Sequence, residues 1–207
     1  MGKKDLNERP KTAIYLALLH YPVYNKNRDV VATAVTNIDV HDIARSSRTY
    51  GIEGVFIVTP IEQQRALIGE IVAHWTSGAG AQHNAARAEA FRRVSIVDSL
   101  ESAQQAITER ESIPPVTLVT SAKEMAEPTS YAACRKAWQG GVREPQLLLF
   151  GTGWGMADEI VEAADVRLPP VESADWVAGE GRRYNHLSVR SAVAIILDRL
   201  LGNREEG

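Results

Sequence analysis

The 207-residue chain is short of several features that would assign it to a familiar class. It has one cysteine, Cys134, which argues against a disulfide framework and against a structural zinc site built from paired cysteines. No apolar run approaches the ~18 residues that a membrane-spanning helix needs. The polar first eleven residues lack the apolar segment of a secretory signal, so we expect no membrane association and a cytoplasmic location.

Motifs of several enzyme classes are also absent. The five histidines show no His-Glu-x-x-His spacing, there is no Gly-x-Ser-x-Gly elbow, and no Gly-Lys-Ser/Thr pair marks a phosphate-binding loop. We therefore expect no metal. The formal charge of −3, from 23 basic and 26 acidic residues, argues against a strongly basic nucleic-acid-binding protein.

Short apolar runs alternate with helix-like stretches along the chain. The runs are apolar on both faces, as strands inside a sheet are, and they lie at residues 12–20, 54–60, 94–97, 116–120, 147–151 and 165–169. Helices are expected at 39–50, 61–75, 80–91, 98–110, 129–139, 156–164 and 187–201. The alternation predicts one α/β domain over residues 11–203, with three layers and a mainly parallel sheet, after a flexible N-terminus at 1–10.

A glycine-rich turn follows the fifth predicted strand. Gly151, Gly153 and Gly155 alternate with Thr152 and Trp154 just before a predicted helix. Alternate glycines let the backbone turn tightly and approach a ligand closely. Ligands of open α/β sheets bind at such strand ends. The turn is therefore a candidate ligand site, and a tight turn that binds nothing is the alternative.

A second cluster of polar side chains lies at the start of the last predicted helix. Asn185, His186 and Ser188 fall where a helix presents unpaired backbone N–H groups, which bind polar and anionic ligands. For His186 alone, a structural histidine is the alternative. The apolar residues that follow are expected to pack in the core.

Two segments near the N-terminus complete the candidates. The connection at 21–36 is long for a compact domain, and such loops are often functional; a surface hairpin is the alternative. The predicted helix at 39–50 carries Arg45 and Arg48, which are either functional or solvated charges, and for Arg48 we favour the solvated charge.

Taken in order, these segments resemble the SPOUT class of methyltransferases. The first motif of its SpoU branch is N-x-G-x-x-x-R-x-x-x-x-x-G, and Asp39, Arg45 and Gly51 stand at its Asn, Arg and Gly positions, with Asp39 as a departure. The second, an apolar strand running into G-x-E-x-x-G, resembles LLLFGTGWG, with glycine at the position of the acid. The third, I-P before S-L-N-V-S-x-A, resembles LPP at 168–170 and NHLSVRSA at 185–192.

The resemblance covers about residues 12–201 and points to a small bacterial SPOUT family of RNA methyltransferases. It implies a deep trefoil knot over about residues 116–201, an exception to the near-absence of knots in proteins. It also implies S-adenosylmethionine held by the backbone of three loops. The cofactor-binding residues that it implies are Thr120, Ser121, Ala122, Phe150, Gly151, Thr152, Gly153, Trp154, Gly155, Leu168, Pro169, Asn185, His186, Leu187 and Ser188. A homodimer with the active site between subunits is expected as well, with apolar contacts from Trp154, Met156 and Trp176.

The function implied is transfer of a methyl group from S-adenosylmethionine to a base or a ribose of a structured RNA. Arg45 would position the target phosphate or polarise the acceptor. The proton of the acceptor atom would pass to Asp39, His41 or His186, three alternatives that the sequence leaves open. RNA contacts are expected from Tyr24, Lys26 and Arg28 in the 21–36 connection. A SPOUT-like module that binds a cofactor or a partner without methyl transfer, and a methyltransferase with a protein acceptor, are the alternatives.

Overall fold

A computed structural model describes residues 12–178 and 184–203. The flexible N-terminus predicted at 1–10 lies outside the described residues. The strands are β1 (Ile14–Leu19), β2 (Val23–Tyr24), β3 (Val30–Val31), β4 (Gly54–Val58), β5 (Val94–Val97), β6 (Val116–Val119), β7 (Gln146–Gly151) and β8 (Val166–Arg167). The helices are α1 (Asn37–Thr49), α2 (Glu62–Thr76), α3 (Ala79–His83), α4 (Ala85–Phe91), α5 (Leu100–Glu111), α6 (Tyr131–Gln139), α7 (Asp158–Ala163), α8 (Asp175–Ala178) and α9 (Val189–Leu201).

Six strands form one parallel sheet in the order β5-β4-β1-β7-β6-β8. All six residues of the central strand β1 are buried, as its apolar run predicts. Leu19 of β1 pairs with Gly151 of β7, so these two neighbouring strands end together. The connection after β1 and the glycine-rich turn after β7 therefore leave the same edge of the sheet side by side.

Helices cover both faces of the sheet. On one face, α1, α2, α4, α6 and α9 bury apolar residues such as Ile43, Phe91 and Leu197. On the other, α5 packs Leu100 and Ile107 against the sheet, and α7 packs its partly buried apolar residues there. Each of the larger buried side chains contributes about 1.5–3 kcal/mol of burial energy. The predicted three layers, and all six predicted strands, are confirmed.

The structure changes three details of the prediction. The helix expected at 80–91 is two helices, because Asn84 ends α3 and its side chain accepts the Arg87 N–H as the N-cap of α4. The 21–36 connection contains a short antiparallel hairpin of β2 and β3, which was the alternative reading of this loop. The helix expected at 39–50 begins two residues earlier, at Asn37, because the Thr36 hydroxyl caps it by accepting the Asp39 N–H.

Candidate active site

A cavity of about 900 Å³ lies at the carboxyl ends of β1, β6 and β7. Four segments form its wall: the connections after these three strands and the segment that leads into α9. The predicted cofactor residues that line the cavity are Thr120, Ser121, Ala122, Phe150, Gly151, Thr152, Gly153, Trp154, Gly155, Asn185, His186, Leu187 and Ser188. Segments that are far apart in sequence therefore meet around one cavity.

The glycine-rich turn has the backbone geometry that its sequence predicts. Gly153 and Gly155 have φ of +60° and +105°, which side chains rarely adopt. The turn pairs with the 21–36 connection, because Trp154 N–H donates to Tyr24 O at 2.9 Å and Tyr24 N–H donates to Gly155 O at 2.8 Å. A Cβ on Gly153 would lie 2.8 Å from Tyr24 O. Glycine is therefore required at position 153 because the backbone of Tyr24 approaches it closely, whether or not a ligand does so as well.

The segment before α9 is tied to the loop after β6. The Asn185 side chain donates to Ala122 O at 2.8 Å, and Ser188 caps α9 by accepting the Ser191 N–H. Leu168 and Pro169, however, do not line the cavity. Leu168 is fully buried, and the Pro169 carbonyl accepts the hydroxyl of Tyr131 at 2.7 Å, while the contact of these two residues with the cofactor stays a prediction.

Asp39 stands in the cavity wall at the first turn of α1. It is 8% exposed, and its carboxylate accepts the Thr36 hydroxyl and lies 3.2 Å from Nη1 of Arg190 in α9. Arg190 also approaches Asp42 at 3.6 Å. The arginine therefore compensates the charge of a buried carboxylate and joins α1 to α9 beside the cavity.

The two histidines that were candidate proton acceptors occupy different surroundings. His186 is exposed, lines the cavity and contacts the Tyr184 ring at 5.2 Å. His41 lies edge-on to Phe91 at 4.6 Å and to Trp75 at 5.4 Å, and it does not line the cavity. Burial, followed by the charge of Arg87, lowers the pKa of His41. His41 therefore lies in an aromatic cluster outside the cavity of its own chain, and its part in proton transfer stays a prediction.

Arg45 is exposed and lies outside the cofactor-sized cavity of its own chain. It lines a second, more open hollow of about 480 Å³ with Asp42, Tyr50 and Arg190. Arg48 is engaged instead in a surface ion pair, in which its Nε donates to Glu89 at 2.8 Å. The two arginines therefore differ in surroundings, as the sequence analysis expected.

The three predicted RNA-binding residues divide into two groups. The Arg28 guanidinium lies 4.3 Å from the centre of the Tyr24 ring and 2.8 Å from the Asp158 carboxylate, while Asp158 N–H donates to the Tyr24 hydroxyl. Tyr24 and Arg28 line the cavity and fasten the 21–36 connection to the start of α7. Lys26 is exposed and lies outside the cavity wall.

The sequence analysis missed a buried histidine among the wall residues. His20, the first residue after β1, is 1% exposed and lines the cavity. Its Nδ1 lies 3.1 Å from the Thr33 hydroxyl, and within the described part of the chain its Nε2 has no hydrogen-bonding partner. Burial lowers its pKa from 6.5 to about 4, with Asp39 acting in the opposite direction. The ring is therefore neutral near pH 7.

A family model described as SAM-dependent RNA methyltransferase matches residues 13–202. The chain belongs to this family. The methyl donor named in the family's description is S-adenosylmethionine, and the glycine-rich turn with the two loops beside it is the part of this chain that suits such a ligand. Ligand cavities commonly measure about 300–1,000 Å³. This one combines backbone at positive φ with apolar side chains from Met125, Val161 and Ile196, so the residues present fit the cofactor.

Relatives of this chain include much longer proteins. It is 45% identical over 195 residues to a tRNA (guanine-N(1)-)-methyltransferase of Nitratidesulfovibrio vulgaris, and 42% identical over 201 residues to one of Oleidesulfovibrio alaskensis. These matches cover 94% and 97% of this chain, which spans 43% and 45% of the relatives' length. It is also 36% identical to an uncharacterised protein of Aquifex aeolicus, over 90% of this chain and 87% of that protein.

Solved structures share the fold at low sequence identity. A probable methyltransferase of Bordetella pertussis Tohama I has a TM-score of 0.58 and 13% identity, covering 91% of this chain and 94% of its own. The SpoU methyltransferase AviRb of Streptomyces viridochromogenes, solved with AdoMet, has a TM-score of 0.51 and 14% identity, covering 97% of this chain and 62% of its own. The predicted α/β fold class, with a parallel sheet between layers of helices, is confirmed, and it is the fold of a SpoU methyltransferase, the class from which the knot was expected.

Two surface features bear on partners. Trp154 and Trp176 are 62% and 87% exposed, whereas Met156 is 6% exposed and packs in the core, so Met156 is not available for the subunit contact expected of it.

In the described ranges, no helix is long and apolar enough to cross a membrane. Nor do those ranges contain a group of His, Cys, Asp and Glu side chains suited to a metal ion.

Proposed function

We propose that this chain transfers a methyl group from S-adenosylmethionine to RNA, with tRNA as the first class of substrate to test. The convergence of the loops after β6 and β7 with the segment before α9 carries the proposal. The curated relatives named for tRNA methylation support this choice of RNA. They are more than twice as long as this chain, so their methylated atom, N1 of guanine, is not carried over. The acceptor proposed here is a base or a ribose. Family membership does not favour a module without methyl transfer.

The chain's own residues would hold the cofactor mainly through backbone. Residues 120–122, 151–155 and 185–188 line the cavity, and the apolar side chains beside them would cover the ligand's less polar surfaces. The cofactor supplies an electrophilic methyl group bonded to a sulfonium. The protein's contribution is to orient donor and acceptor and to keep water away from them. Asp39, held by Arg190, places a carboxylate in the wall near the start of α1.

The proposed active unit is a homodimer in which Arg45 acts across the subunit interface. Arg45 is exposed and lies outside the cavity of its own chain, so a role at the reacting atoms needs a second subunit. The resemblance to SPOUT enzymes supports the same arrangement. Trp154 and Trp176 offer exposed apolar surface of the kind that interfaces bury. A guanidinium can hold a phosphate with two hydrogen bonds.

Transfer of tritium-labelled methyl groups tests the proposed activity. Purified protein and labelled S-adenosylmethionine are incubated with total RNA from a strain that lacks the gene, and RNA and protein fractions are counted separately. We expect label in RNA, concentrated in the tRNA fraction. Label in protein alone would point to a protein acceptor. Label in neither fraction, with the cofactor bound, would point to a binding module.

A further inference from the structure

The ion pair between Asp39 and Arg190 lies between the two hollows of the molecule. Asp39 lines the larger cavity and not the second hollow, whereas Arg190 lines the second hollow and not the cavity. Nη1 of Arg190 donates to Asp39 Oδ1 at 3.2 Å, and Asp39 Oδ2 accepts the Thr36 hydroxyl. The negative end of the pair is therefore on the side of the proposed cofactor site, and the positive end is on the far side.

Asp39 is also the buried charge of the cavity wall. Within residues 12–178 and 184–203, the other charged side chains that line the cavity are exposed, namely Arg28, Lys123, Glu124 and Asp158. Arg28 and Asp158 are in addition paired with each other at 2.8 Å. Water and salt screen exposed charges strongly and buried charges much less. The carboxylate of Asp39 is therefore the charge that acts most strongly on a ligand in this cavity.

The influence of this carboxylate is visible at His20, another residue of the wall. Burial lowers the pKa of His20, and the Asp39 carboxylate acts in the opposite direction because it favours the charged imidazole. A positive charge carried into the cavity by a ligand is stabilised in the same way.

The methyl donor and its product differ in charge at a single atom. S-adenosylmethionine has a positively charged sulfonium, whereas S-adenosylhomocysteine, which remains after methyl transfer, has a neutral thioether at the same place. Their ammonium and carboxylate groups are identical. A carboxylate in the cavity wall therefore attracts the donor more strongly than the product.

We propose that Asp39, held in place by Arg190, makes the cavity select the cationic methyl donor over the neutral product. The inference rests on the cofactor site of the proposed function. Both residues stand where the SpoU motifs have uncharged ones, Asp39 at the Asn of the first motif and Arg190 at the second Ser of the third. These two departures from the motifs meet in the fold as one ion pair.

Asp39→Asn tests this selection because it removes the charge and keeps an oxygen for the Thr36 hydroxyl. Calorimetric titrations with S-adenosylmethionine and with S-adenosylhomocysteine, both without RNA, give two dissociation constants, and their ratio isolates the charge of the sulfonium. A sphere of about 900 Å³ is about 12 Å across, and at that separation one unit charge, at an effective dielectric constant of about 20, changes an affinity about tenfold. We expect Asp39→Asn to lower the preference for donor over product by about this factor.

Asp42→Asn is the matched control. Asp42 is on the same helix and lies 3.6 Å from Arg190, but it lines the second hollow, and its side chain is 42% exposed. Its replacement should leave the ratio of the two dissociation constants within about twofold of wild type, because an exposed charge is screened by water.

The titrations distinguish this inference from the function beneath it. A ratio that falls in Asp39→Asn but not in Asp42→Asn supports the inference. An unchanged ratio in Asp39→Asn overturns it, because a purely structural change weakens donor and product alike. Equal falls in both variants also overturn it, since the effect would not depend on the cavity wall. If wild type binds neither compound, the cofactor site of the proposed function and this inference fail together.

Discussion

Replacement of Gly153 by alanine tests whether the glycine-rich turn shapes the cofactor site. The residue has φ of +60°, and its new Cβ would lie 2.8 Å from Tyr24 O, where ordinary contact begins at 3.4 Å. The turn and the 21–36 connection must therefore separate by about 0.6 Å. Since Trp154 N–H donates to the same carbonyl, the shift strains a hydrogen bond worth about 0.5–1.5 kcal/mol. Left-handed backbone adds about 1–2 kcal/mol for a residue with a side chain.

Gly51→Ala is the matched control. Gly51 has φ of +74° but nothing within 4 Å of an added Cβ, so it carries the backbone strain without the collision. It follows α1, away from the cofactor loops. We expect both variants to lose stability, by about 1–2 kcal/mol for Gly51→Ala and up to about 3 kcal/mol for Gly153→Ala.

Calorimetric titration with S-adenosylmethionine gives the decisive comparison. Gly153→Ala should bind at least about tenfold more weakly than wild type, a loss of about 1.4 kcal/mol. Gly51→Ala should bind as wild type does. Wild-type affinity in a folded Gly153→Ala would show that the cofactor does not depend on this turn, and would refute the placement of the site.

Three further predictions concern the charged groups and the assembly. Arg45→Ala should slow single-turnover methyl transfer by about 10²–10³-fold with cofactor affinity unchanged. Arg48→Ala, the control, loses only a surface pair with Glu89 and should change stability by at most about 1 kcal/mol and leave the rate intact. Equal rates for wild type and Arg45→Ala would remove Arg45 from the site. His20 has a pKa of about 6.5 in the unfolded chain and about 4 in the folded one, so the free energy of unfolding should fall as the pH drops through this window, by about 3 kcal/mol from this group. Denaturant titrations should show a shallower fall for His20→Asn. Identical curves would contradict the lowered pKa of His20. Light scattering should give twice the 22.7 kDa chain mass. An equal mixture of Arg45→Ala and Gly153→Ala should recover about a quarter of wild-type transfer, because half of the dimers are mixed and each mixed dimer has one intact site. No recovery would argue against action of Arg45 across the interface.

The fold was predictable because buried parallel strands have a distinct sequence pattern. β1 and β7 are apolar on both faces, and the sequence shows this directly. Alternate glycines likewise marked the turn after β7. The break at Asn84 was missed because the apolar pattern continues through it, although asparagine is a common N-cap.

The site was predicted less completely, for geometric reasons. His41 lies two residues after Asp39 in α1, and two residues turn a helix by about 200°, so their side chains point to opposite faces and only Asp39 lines the cavity. Asp39 and Arg190 are 151 positions apart, and only the packing of α1 on α9 brings them together. His20 gave no signal, since a histidine at the end of an apolar run has no motif around it. Its burial and its unpaired Nε2 are visible only in the folded chain.

The central claim is that this chain methylates RNA with S-adenosylmethionine bound at the glycine-rich turn. The most direct measurement is single-turnover transfer from labelled cofactor to tRNA purified from a strain that lacks the gene, followed by digestion and mass analysis of the nucleosides. The account predicts one labelled methylnucleoside from wild type and a strongly reduced amount from Gly153→Ala. No labelled nucleoside from wild type, under conditions in which the cofactor binds, would contradict it.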